Sequence, residues 1–210
     1  MEQVLRNRWR DLTRPLGLGE AEAARVFDDL VARHGEDHRA YHTLAHTRHV
    51  LDVIDFIDDH ERVDDPVALR LAAWFHDAIY QPGADDNETR SAKLAAEVLT
   101  DWQIPPDRVA HVHALILTTD HHLPETSDEA VLVDADLAIL ASDPETYDVY
   151  TRAVRVEYQH LDEAAWRQGR SAFLRGMLDR DPLFTTKTLR RRGEQLARRN
   201  LADELARLGG

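Results

Sequence analysis

Apolar residues recur at helical spacing along nearly the whole chain, and no segment alternates with the period of a half-buried strand. Val26, Phe27, Leu30 and Val31 form one stripe, with Gly35 as its stop. Val50, Val53, Ile54 and Ile57 form a second, in a helix predicted over residues 42–60. Asp64 to Pro66 supply an N-cap and a first-turn proline for a helix running to residue 80. Further helices are predicted over 88–102, over 108–119, and over 128–141 with Ser127 as cap. The S-x-x-E box at Ser142 to Glu145 opens another, and two more cover 166–178 and 189–208. The stretch "AVLVDADLAIL" is typed least clearly, because a short apolar run fits strand or helix. The pattern implies an all-α bundle, one domain over residues 1–210, with the helices after residue 144 packed on the rest.

Composition restricts the function classes. At 43% hydrophobic residues the chain can build a core. Its net charge of -13 lacks the basic footprint of a nucleic-acid groove. A small anionic ligand stays open, because one metal ion or a few arginines reverse a local field. There is no cysteine, so disulfides and thiolate metal sites are excluded. No apolar run approaches the roughly 20 residues of a membrane span. "MEQVLRNRWRDL" has no secretory h-region, and the expected compartment is the cytoplasm, without membrane contact.

The histidines and aspartates break this apolar pattern in a consistent way. At about 100° per residue, His42, His46 and His49 fall on one face of their predicted helix, beside Val50 and Val53. One inward histidine is ordinarily a hydrogen-bonded core residue. Three require three sets of partners, which a metal with carboxylates would supply. "LRLAAWFHDAIY" places His76 and Asp77 inside an apolar run, where an unpaired charge is costly. Asp134 and Asp136 interrupt "LVDADLAIL" in the same way, and Asp134 is expected to face solvent. The inward set is then His46, His76, Asp77 and Asp136. Imidazole and carboxylate without thiolate suit Mn²⁺, Fe²⁺, Co²⁺, Ni²⁺ or Zn²⁺, or Mg²⁺ with water completing the sphere.

Taken together, "YHTLAHTRHVL", "WFHDAIY" and "VDADLAIL" resemble the motifs of the HD-domain superfamily of metal-dependent phosphohydrolases. Within it, "YHxLxH", "FHDAIY…DNExxSA" and "DADLAIL" look like a bacterial group described as predicted metal-dependent phosphohydrolases. The match spans residues 41–140. It implies an HD-like helical bundle with additional C-terminal helices, and metal ligands at His46, His76, Asp77 and Asp136, with Asp134 as the alternative to Asp136. It implies hydrolysis of a phosphate ester or anhydride of a small phosphorylated molecule, with Asp77 in catalysis.

Departures from better-known relatives narrow the substrate. No acidic residue follows the His-Asp pair in "HDAIYQ", and the GYP and HDxGHxP motifs of other subfamilies are absent. Glu88 is therefore the candidate general acid or water-orienting group. His42, His121 and His122 are candidates for a second metal or for substrate, while His111 and His113 read as structural. Arg48 and Arg90 are candidates for the phosphate. The leucine stripe of the last helix reads as a packed outer helix or a homodimer face. The rival readings are an HD-fold di-iron oxygenase and a non-catalytic metal- or nucleotide-binding module.

Overall fold

The helix Pro66–Phe75 has no polar face. From Ala68 to Phe75 every residue except Arg70 is buried. A helix that is apolar all round must be enclosed by its neighbours. Asp65 starts it, accepting hydrogen bonds from the N–H groups of Val67 and Ala68 at 3.1 and 3.0 Å.

The computed structural model describes residues 1–209 as ten α-helices, with no strand among them. They are α1 (Glu2–Thr13), α2 (Glu20–His34), α3 (Leu44–Asp58), α4 (Pro66–Phe75) and α5 (Asn87–Asp101). Then come α6 (Pro106–His121), α7 (Ser127–Leu137), α8 (Pro144–Glu157), α9 (Glu163–Leu178) and α10 (Lys187–Arg207). Short 3₁₀ turns occupy Arg14–Leu16 and Ala138–Ala141. No helix among the described residues is long and apolar enough to cross a membrane.

Helices α3, α5, α6 and α7 surround α4. The buried stripe of α3 is His46, Val50, Ile54 and Ile57, at spacings of four, four and three. Val53 is only half-buried. α1, which is not among the predicted helices, buries Leu5, Trp9 and Thr13 at spacings of four. The Trp9 indole meets Trp74 edge-on, with centroids 5.2 Å apart, and donates to the Ala23 carbonyl at 2.7 Å.

The C-terminal helix packs on its own chain. Leu189 and Leu201 are buried in the core, and α10 lies against the 3₁₀ turn after α7. Gly193 permits that approach, since a Cβ there would sit 2.7 Å from the Ala141 Cβ. Asn200 Nδ2 then donates to the carbonyls of Leu140 and Ser142, both at 2.9 Å.

Several predicted boundaries differ. The helix predicted from residue 42 begins at Leu44, with Thr43 as N-cap, so His42 precedes it. The helix predicted to residue 80 stops at Phe75, with His76 as C-cap. Thr126, not Ser127, caps α7 through a reciprocal box with Glu129. Asp143, not Ser142, caps α8, because its carboxylate reaches the N–H groups of Glu145 and Thr146.

Candidate metal centre

Three chain segments deliver four side chains to one point. His46 lies in the first turns of α3, on the face that also buries Val50 and Ile54. His76 caps the C-terminus of α4, and Asp77 follows in the turn. Asp136 occupies the last turn of α7. His46 and His76 are 3% and 2% exposed, whereas Asp77 and Asp136 retain a little access to an adjoining cavity.

The donor atoms converge. His46 Nε2 lies 3.2 Å from His76 Nε2, 3.3 Å from Asp77 Oδ2 and 3.0 Å from Asp136 Oδ1. His76 Nε2 lies 3.1 Å from Asp77 Oδ2 and 3.7 Å from Asp136 Oδ1. His46, His76 and Asp77 form a mutually close set within 4.8 Å, and Asp136 joins it through the two imidazoles. Donors about 2.0–2.2 Å from a common ion are spaced on this scale.

Two further observations fit a cation. His76 Nδ1 donates to the Ala73 carbonyl at 3.0 Å, which fixes the ring with Nε2 as the nitrogen facing the cluster. Asp77 Oδ2 is buried and makes no hydrogen bond, although two imidazole nitrogens stand beside it off the bonding direction. Burial opposes charge on every member. The neighbouring carboxylates nevertheless hold the His46 and His76 pKa values above the usual histidine range. Burial likewise works against ionised Asp77 and Asp136, and their imidazole partners outweigh it, keeping both well below the usual carboxylate range.

A second layer of contacts fixes these segments. Arg39, buried before α3, donates to the carbonyls of His42 at 3.1 Å, Asp77 at 2.7 Å and Ala78 at 3.2 Å. It thereby ties the two histidine segments together. Glu157, from the end of α8, accepts from the N–H groups of Ala40, Tyr41 and His42 at 2.8, 2.8 and 2.9 Å. Its second oxygen lies 2.7 Å from His42 Nδ1 and accepts from Tyr80 Oη at 3.0 Å. Sequence reading missed both residues, because their partners lie far along the chain. The "DNExxSA" stretch is structural in part. Asn87 makes a two-way bond with the backbone of Gln81, and Ser91 does the same with Ile79.

The remaining candidates separate by position. Glu88 lines the cavity beside the cluster, and burial, helped by Asp120 and Asp77, raises its pKa. His42 also lines the cavity. His122 ends α6 in the left-handed region at φ 54°, a conformation that side chains other than glycine rarely adopt. That turn sets its Nε2 3.2 Å from Asp136 Oδ2, while Arg180 binds the carbonyls of His121 and His122. His121 is exposed and faces away, its Nδ1 accepting from Leu123 N–H.

Asp134 is fully buried, contrary to the expectation that it faces solvent. It accepts from the N–H groups of Thr185 and Thr186 at 2.9 and 2.7 Å and so holds the start of α10, not the cluster. Its pKa is pushed up to about 6 by burial, which outweighs those bonds. Arg48 and Arg90 are exposed and pair with Asp52 and Asp86 on their own helix or its cap. Neither lines the cavity, because both lie on the solvent faces of α3 and α5. His49 sits half-buried beside the α3 stripe, and His111 approaches Asp128 at 3.5 Å, away from the cluster.

No family model, curated protein or solved structure matches this chain.

Proposed function

We propose that this chain is a divalent-metal-dependent phosphohydrolase of the HD type. One observation carries the reading: four imidazole and carboxylate donors from three segments converge at the end of a cavity, and one of them, Asp77 Oδ2, is buried without a hydrogen bond. His46, His76, Asp77 and Asp136 would hold the ion. When bound, it would acidify a water and offset charge on a phosphoryl oxygen.

The chain's own residues supply the rest. His76 is held with Nε2 toward the cluster by Ala73, and Arg39 and Glu157 hold the two histidine segments in register. His122 orients Asp136 through its second oxygen. Glu88 reaches the same cavity with a carboxyl whose proton is retained to higher pH than usual, which suits a donor to the departing oxygen. In the net step, water oxygen bonds to phosphorus, the ester P–O bond breaks, and one water proton ends on the leaving oxygen.

The test is a panel of phosphomonoesters, phosphodiesters and nucleotides assayed with Mn²⁺, Co²⁺, Ni²⁺ and Mg²⁺. The reading expects chelator-sensitive turnover of at least one ester, and its loss in Asp77→Asn. Undiminished activity in that variant would refute it. Two bound irons with an oxygen-dependent product would favour the oxygenase reading.

A further inference from the structure

The cavity extends well beyond the metal centre. Its volume is about 430 Å³, inside the range of about 300–1,000 Å³ common for small-molecule sites. One end carries the histidines and carboxylates described above. The other, formed by α8, α9 and the turns beside them, is walled by Leu140, Val154, Tyr158, Leu161, Trp166 and Phe173. The hydrolytic reading makes no use of this second end.

Two properties of that end restrict its occupant. The first is its surface. Three aromatic rings and three aliphatic side chains favour a flat apolar body, which gains both burial and ring contacts. Among these six side chains only Tyr158 Oη and Trp166 Nε1 could meet a hydroxyl of the ligand. The second is charge. Arg170 is the only arginine or lysine among the described residues lining the cavity. Its guanidinium is already committed, with Nε and Nη2 on Glu204 at 2.7 and 3.0 Å and Nη1 on Tyr150 Oη at 3.1 Å. Its charge is balanced inside the fold, and none is left over for an anion. A chain of phosphates needs several cations along its length. The cavity provides a place for negative charge at one end only.

Resting on the phosphohydrolase reading, we propose that the cavity takes a phosphate monoester with one phosphoryl group and an apolar, ring-bearing body. The phosphoryl group lies at the Asp77 and Asp136 end, and the ring lies against Tyr158, Trp166 and Phe173. Nucleoside triphosphates and sugar phosphates are poor ligands on this view.

Binding and turnover test the two levels separately. The metal-loaded full chain is titrated calorimetrically with naphthylmethylphosphonate and with methylphosphonate, neither of which can be hydrolysed as an ester. The expected result is at least tenfold tighter binding of the naphthyl compound. Phe173→Ala, at a half-buried position, should erase most of that difference, and Trp166→Ala is the second variant. Equal affinities for the two phosphonates would overturn the proposal. So would a higher kcat/KM for ATP, AMP or glucose 6-phosphate than for naphthyl phosphate. If the naphthyl preference holds but no phosphate ester is turned over with any metal, the ligand assignment stands and the hydrolytic reading falls.

Discussion

Glu157 and His42 are joined at 2.7 Å, 115 residues apart in sequence. The same carboxylate collects three successive backbone N–H groups leading into α3. One buried side chain therefore sets the entry of the helix that carries His46.

Replacing Glu157 with Gln should destabilise the fold by about 2–3 kcal/mol, because an amide cannot satisfy the same set of donors. Its pKa is held down to about 2 by His42 and the backbone N–H groups, which overcome the opposing effect of burial. A depressed carboxylate contributes stability that is present above its unfolded value of 4.5 and lost as pH falls toward 2. Urea unfolding of the wild type should show that loss across this window, and Glu157→Gln should flatten it.

His34 makes a second acid-sensitive contribution. Burial, assisted by Arg39, lowers its pKa from 6.5 to about 3. The unfolded chain binds this proton more readily, so the stability is full above 6.5 and declines as pH falls toward 3. The decline is on the order of 5 kcal/mol at about 1.4 kcal/mol per pKa unit. A His34→Gln variant should lose stability less steeply between those values. An unchanged slope would show that His34 is not responsible.

Asp134 and Asp136 are two residues apart and should respond in opposite ways. Asp134→Ala leaves the N–H groups of Thr185 and Thr186 without their partner and should cost about 2–4 kcal/mol, with metal content per folded molecule retained. Asp136→Asn should keep the circular dichroism of the wild type and lose metal affinity. Elemental analysis with thermal melts on both variants separates them.

Gly193→Ala places a methyl group 2.7 Å from Ala141 Cβ, with Phe184 also close at 3.3 Å. Overpacking of this kind costs about 1–3 kcal/mol. A lower Tm should follow, together with loosening of the turn after Asp136, readable as faster amide exchange at Leu140 to Ser142.

Much of the helical order was legible, because amphipathic periodicity is local. The segments bearing His46, the His76–Asp77 pair and Asp136 were also legible, as polar breaks in apolar runs. What was not legible depended on distant partners. α4 stops at Phe75 because the Ile79 N–H, which would bond the Phe75 carbonyl in a longer helix, goes to Ser91 Oγ, and the Ala78 N–H takes that carbonyl in a tighter turn. Asp134 is buried because the start of α10 needs an acceptor. Glu157 sits in "EYQHL", which reads as aromatic packing until the loop before α3 is laid against it. Arg48 and Arg90 had the right chemistry for a phosphate but lie on solvent faces. Arg170, which does reach the cavity, is already paired with Glu204.

The proposed cation site consists of His46, His76, Asp77 and Asp136. Calorimetric titration of the chelator-stripped full chain with Mn²⁺ tests it most directly. Saturable binding of at least one ion per chain is expected, weakened at least a hundredfold in Asp77→Asn while Arg48→Ala binds as the wild type does. Wild-type protein that takes up no Mn²⁺, Co²⁺, Ni²⁺, Fe²⁺ or Zn²⁺, or an Asp77→Asn variant that binds with wild-type affinity, would contradict it.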